Sequence, residues 1–110
     1  MKVLDTRLIA TTAVAARPDK PAMAIVHDSA DVRLVMFRIE PGQEVATHTN
    51  ASTVVLTVLE GSGMVTGSDG ERSVSRGQLI TFEPKEPHGM RATDERFVLL
   101  ATISPRPGDR

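Results

Sequence analysis

Cysteine, tryptophan and tyrosine are all absent from this chain, and its only aromatic residues besides three histidines are Phe37, Phe82 and Phe97. Without cysteine there is no thiolate nucleophile, thiolate metal site or disulfide. Without tyrosine no phenol can act as a general acid, and no serine lies beside a His-acid pair to suggest nucleophilic catalysis. Three phenylalanines leave little for stacking a flat ligand, and a core of this size claims them first. Charge of one sign is also missing: 13 Lys and Arg stand against 14 Asp and Glu. No basic stripe can neutralise phosphates, so nucleic acid is not expected as a partner. No apolar run approaches the roughly 20 residues that span a bilayer, so no membrane partner is expected either. The stretch from Leu8 to Ala16 resembles the apolar part of a signal peptide, but Asp5 interrupts the lead-in and two threonines dilute it. The expectation is a cytoplasmic protein without a leader.

What is present is the balance of one globular domain: 110 residues, 40% hydrophobic and 25% charged. From Val32 onward, short Val-, Ile-, Leu- and Thr-rich segments alternate with Gly, Pro, Asp and Asn every eight to twelve residues, as in sandwiches and barrels. Strands are expected near Val32–Ile39, Glu44–Thr49, Thr53–Glu60, Gly63–Thr66, Glu71–Val74, Leu79–Glu83, His88–Ala92 and Arg96–Ile103. Ser68-Asp69-Gly70 is the sharpest hairpin signal, because glycine accepts the positive φ of tight turns. The fold class is therefore all-β with little or no helix. Its barrel covers 31–103, after an N-terminal segment (1–30) and before a mobile tail (104–110). In the N-terminal segment, Val3–Ile9 and Met23–His27 are candidate strands. An extra strand there needs a sheet edge to cover, its own or a partner's, which points to a homodimer.

Candidate chemistry gathers at two histidines forty residues apart. His48 follows Gly42 and His88 follows Gly77, and an antiparallel barrel can bring both imidazoles to one interior pocket. Imidazole is the commonest protein ligand for transition metals. Asn50 shares strand parity with His48, about 6.6 Å along the strand. Glu44 shares that parity but lies about 13 Å away, beyond ligand reach without a bulge. Glu83 and Glu86 flank Pro-rich turns and read as solvated, and His27 as a surface or core-edge residue. Val54, Leu56, Phe82 and Met90 are candidates to line an apolar small-molecule pocket around the pair. Two buried histidines can equally well satisfy each other, Asn50 or water by hydrogen bonding, with no metal present.

These two segments resemble the paired motifs of the cupin superfamily, the small RmlC-like double-stranded β-helix barrels. The first family motif runs Gly, five residues, His-x-His, three or four residues, Glu, six residues, Gly. Here it reads Gly42, five residues, His48-Thr49-Asn50, three residues, Val54, six residues, Gly61. The second runs Gly, five residues, Pro-x-Gly, two residues, His, three residues, Asn. Here it reads Gly77, five residues, Glu83-Pro84-Lys85, two residues, His88, three residues, Ala92. The resemblance implies a jelly-roll-like barrel and one divalent ion (Zn, Fe, Mn or Ni), with ligand positions at His48, Asn50, Val54 and His88. Val54 has no lone pair, and the missing carboxylate leaves a divalent charge uncompensated. Three readings stay open: a metal-dependent enzyme of the dioxygenase or isomerase kind, a metal-free small-molecule-binding or sensing module, and a structural dimer with a relict cavity.

Overall fold

The computed structural model describes residues 1–108, a helix and ten strands in two antiparallel sheets. Helix α1 (Thr6–Thr12) precedes β1 (Val14–Ala15), β2 (Ala22–Asp28), β3 (Arg33–Ile39), β4 (Glu44–His48) and β5 (Thr53–Glu60). Then come β6 (Ser62–Gly67), β7 (Gly70–Ser75), β8 (Leu79–Phe82), β9 (His88–Ala92) and β10 (Phe97–Ser104). The larger sheet is ordered β1-β2-β3-β10-β5-β8 and the smaller β4-β9-β6-β7.

Alternation in the strands explains why two layers form. Along β5, Val54, Leu56 and Val58 are buried at 2% exposure or less, while the residues between them face the other side. They meet Val35, Ile39, Phe97 and Leu99 of the larger sheet and Val65, Met90 and Ala92 of the smaller one in a single core. Burying Phe97, Ile39 or Leu56 contributes about 1.5–3 kcal/mol each. The hairpin expected at Ser68-Asp69-Gly70 joins β6 to β7, with Gly67 opposite Gly70.

The N-terminus departs from the sequence expectation. Val3–Ile9 is not a strand, and Thr6–Thr12 is helical. The Asp5 side chain caps it by accepting from the Leu8 N–H at 3.0 Å, which satisfies a donor that a helix start leaves open. Ala10 and Ile9 cover Met36, Val98, Val26 and Leu100 on the outer face of the larger sheet, a second and smaller core. At the other end, Arg38 Nη1 donates to the carbonyls of Ala10, Thr11 and Ala13. A seven-residue helix is marginal alone, and tertiary contacts of this kind decide its state. Met23–His27 falls within β2 as expected. Part of the expected tail, residues 109–110, lies outside the described residues. Before it, Arg106 Nε donates to Asp28 Oδ1 at 2.6 Å and Ser52 Oγ to the Pro105 carbonyl at 2.7 Å. Among the described residues no helix is long and apolar enough to cross a membrane.

Candidate functional site

Each histidine motif opens on a glycine in the left-handed region, Gly42 at φ 86° just before β4 and Gly77 at φ 93° just before β8, a conformation that other residues adopt only with strain. β4 runs beside β9 with Glu44 opposite Arg91, Val45 opposite Met90 and His48 opposite His88. Between the last two pairs β4 advances three residues while β9 advances two, so β4 carries a bulge. The bulge resets parity. Val45 packs on the core, and His48 joins it on the interior face three residues later, not two. Glu44, expected to share parity with His48, therefore faces solvent opposite Arg91 and adds to the charges that hold the Arg91 guanidinium protonated, after Glu71.

A close approach makes room for the bulge. A Cβ on Gly89 would stand 2.8 Å from Thr47 Oγ1 and 3.1 Å from the Thr47 Cα, so β4 leans over a residue with no side chain. The outcome is a pair of touching imidazoles, with ring centroids 4.3 Å apart and planes at 63°. His88 is buried at 4% exposure, and His48, on the edge strand, is exposed.

Both rings are oriented in the same way. His48 Nδ1 is 2.9 Å from the Ala46 carbonyl oxygen and His88 Nδ1 is 3.0 Å from that of Glu86. A carbonyl only accepts, so each Nδ1 carries the proton and each Nε2 of the neutral ring keeps its lone pair. Neither Nε2 has a hydrogen-bond partner among the described residues. The one side-chain nitrogen or oxygen there that is both sealed and without a hydrogen bond is Arg38 Nε, so His88 Nε2 reaches solvent. Burial pushes the His88 pKa below its usual 6.5, assisted by nearby His48 and opposed by the Glu86 carbonyl. His88 thus stays neutral at pH 7.

Of the other expected site residues, Phe82 is the one with a ring contact to this pair. Asn50 follows the end of β4; its Oδ1 accepts from the Ser52 N–H and its carbonyl from the Lys85 N–H, so it organises its own loop. Val54, Leu56 and Met90 are sealed in the core at 1–4% exposure. Phe82 is equally buried but has two further neighbours: its ring lies 5.2 Å from that of His88, and it lines a groove of about 730 Å³ between the β6–β7 hairpin and the edge strand β8. Val65, Arg72, Val74, Ile80 and Glu86 also face the groove.

Glu86 links groove and pair in a way that the sequence does not signal. Its carbonyl anchors His88, while its carboxylate accepts from the Glu83 N–H, the Ser68 hydroxyl and the Ser68 N–H. Those donors, Glu83 first, hold its pKa below the usual carboxylate value. The Ser68 contact spans eighteen residues and has no local spacing signature. Its nearest clue is the hairpin at Ser68-Asp69-Gly70, which the fold turns toward Glu86.

Could these residues hold the ion that the motif resemblance implies? Two imidazoles whose Nδ1–H groups are each fixed by a hydrogen bond, with both Nε2 atoms left for an external partner, are the donor chemistry of a first-row metal site. They fit as two ligands. Among the described residues no third His, Asp or Glu joins them in a metal-ligating group.

Comparison with known proteins agrees with this architecture. A family model described as Cupin domain matches residues 35–103. The TT1209 protein of Thermus thermophilus is similar in structure at a TM-score of 0.87, with 26% identity over 97% of this chain and 100% of that one. An uncharacterized conserved protein with a double-stranded β-helix domain from Klebsiella pneumoniae gives 0.84, with 20% identity over 96% and 91%. An RmlC-like cupin protein from Desulfovibrio desulfuricans is 31% identical over 86% of this chain and 91% of that chain, at 0.74. No curated protein matches the sequence significantly.

Proposed function

The chain belongs to the cupin family, and on that footing we propose that it binds a small molecule at the His48–His88 pair through a weakly held divalent metal ion. One observation carries the reading. Both Nδ1–H groups are committed to carbonyls two residues upstream, which leaves two adjacent Nε2 lone pairs for an external partner. A Zn, Fe, Mn or Ni ion bound there would supply Lewis acidity toward an oxygen- or nitrogen-donor ligand. His88 holds its ring from the interior, His48 closes the pair from the solvent side, and Phe82 gives the pair an apolar wall. Val54 stands where the family places a carboxylate, so the ion's charge is not neutralised and its affinity is low.

A metal-free reading is favoured by a separate observation, the absence of a third ligating group among the described residues. In that case the Nε2 atoms accept hydrogen bonds from a hydroxyl or N–H of the ligand, and the protein is a binding or sensing module. We further infer that the protein is cytoplasmic and that its macromolecular partner is a second copy of itself.

Calorimetric titration of Zn²⁺ or Ni²⁺ into protein purified without an affinity tag tests the first reading. One weak site is expected, lost in His48→Ala and in His88→Ala; equal binding in both variants rules it out. For the metal-free module, small molecules should raise the melting temperature of chelator-treated protein. Ligand recovered unchanged marks a binder, and conversion marks an enzyme of the dioxygenase or isomerase kind.

A further inference from the structure

Glu86 is tied to its surroundings through both its backbone and its side chain. Its N–H donates to the Glu83 carbonyl at 3.0 Å and its Oε1 accepts from the Glu83 N–H at 3.0 Å, so the turn over Pro84 and Lys85 is closed twice. Oε2 reaches the β6–β7 hairpin, where it accepts from the Ser68 hydroxyl at 2.8 Å and the Ser68 N–H at 3.3 Å. The hairpin comes this close because a glycine faces the carboxylate: a Cβ on Gly67 would stand 3.3 Å from Oε2. These donors are two N–H groups and a hydroxyl, not a cation, and what they hold is a position.

The backbone beyond Glu86 passes the constraint on. Pro87 has its own φ locked by its ring and restricts the residue before it to extended conformations, which leaves little freedom between the Glu86 side chain and the Glu86 carbonyl. That carbonyl accepts from His88 Nδ1 at 3.0 Å. The bond at one ring nitrogen decides which way the other points and whether it carries a lone pair.

We propose that the Glu86 carboxylate, anchored on Ser68, is the positioning residue of the His88 imidazole: it sets the carbonyl that holds the Nδ1 proton and thereby aims Nε2 at an external partner. This rests on the reading, given above, of the histidine pair as a weak metal site. The carboxylate itself is no ligand. Its oxygens are taken by the three donors, and it forms no metal-ligating group with the two histidines among the described residues. His48 supplies the contrast, because the carbonyl that holds its Nδ1 is that of Ala46, within its own strand.

Two measurements on the full chain test this. Nitrogen-15 NMR of the histidine rings in metal-free protein at about pH 8 reads the neutral tautomer, and calorimetric titration with Zn²⁺ reads the affinity. Wild-type His88 should carry its proton on Nδ1. Glu86→Ala should give a mixture of tautomers at His88, leave His48 as it was, and weaken Zn²⁺ binding about tenfold or more. Glu86→Gln is equally uncharged but keeps an oxygen for the Glu83 N–H, so it should recover much of both readings. Ser68→Ala, which removes only an exposed hydroxyl, should move both in the same direction by less, and it stands in if Glu86→Ala does not fold. A His88 tautomer and a Zn²⁺ affinity unchanged in the alanine variants overturn the proposal. It falls as well if glutamine does no better than alanine, since the charge alone then accounts for the effect. A wild type that binds no Zn²⁺ overturns the metal reading instead, and the His88 tautomer then decides the proposal by itself.

Discussion

His48 and His88 face each other across β4 and β9 with ring centroids 4.3 Å apart, one exposed at a sheet edge and the other 4% exposed. Their environments separate their roles. His48→Ala removes a ring from the surface and should change stability by about 0.5 kcal/mol or less. His88→Ala leaves a void beside Phe82 and the Glu86 carbonyl without its donor, and should cost about 2–3 kcal/mol. Both should abolish metal binding. Urea denaturation beside calorimetric titration separates the two effects, and equal stability losses would contradict this division of roles.

The buried ring also fixes a pH dependence. The folded pKa of His88 lies below its unfolded value of 6.5, so near that pH the unfolded chain binds more protons than the native one. Its contribution is fully present above pH 6.5 and is lost as pH falls through 6.5 toward the depressed folded value. Stability measured by urea should fall between about pH 7.5 and about pH 5, a window that brackets the unfolded value. His88→Gln should flatten that fall; an unchanged slope would show that other groups cause it.

The bulge can be tested without touching either imidazole. In Gly89→Ala the new methyl meets Thr47 backbone and hydroxyl at 2.8–3.1 Å, and β4, paired on one side only, is the element free to give. Its movement carries His48 off His88. The expected result is a metal affinity weakened by about tenfold or more, as when positioning of ligands is lost, with a stability cost of about 1–3 kcal/mol. Thermal melting and the same titration would measure both, and unchanged affinity would mean that the bulge does not set the pair.

This bulge marks where the sequence stops being legible. The barrel strands can be read because Val54, Leu56 and Val58 alternate and because turn residues punctuate the chain. The histidine pair can be read because the glycines that begin each motif sit at fixed spacing before it. Parity within β4 cannot, since one extra residue reverses every face and leaves no trace in composition. Simple alternation accordingly groups Glu44 with His48, from which the bulge separates it. The helix at Thr6–Thr12 escapes sequence reading for a related reason: its anchors, Arg38 and Met36, are more than twenty residues away.

Stronger acid should act on a different tie. Asp28 accepts from Arg106 and Arg33, and those guanidiniums, Arg106 first, lower its pKa from 3.8 to about 2. Its contribution is present above pH 3.8 and is lost as pH falls through about 2. In Arg106→Ala the NMR titration of the Asp28 carboxyl should move upward toward 3.8. An unmoved titration would assign the shift to Arg33.

Lys85 departs from the family pattern at a position where the pattern has a physical reason. It is the one described non-glycine residue at positive φ, 69°, where Cβ crowds the backbone at a cost of roughly 1–2 kcal/mol. Its N–H nevertheless donates to the Asn50 carbonyl at 2.7 Å, tying the Pro84–Pro87 turn to the loop after His48. Glycine keeps that N–H and removes the crowding, but loses more entropy on folding, so Lys85→Gly should stabilise by about 0.5–1 kcal/mol. Lys85→Val should destabilise instead, because a β-branched side chain suffers most at positive φ. The two melting temperatures, compared with wild type, should therefore bracket it, and a less stable glycine variant would show that the lysine side chain outweighs its strained backbone.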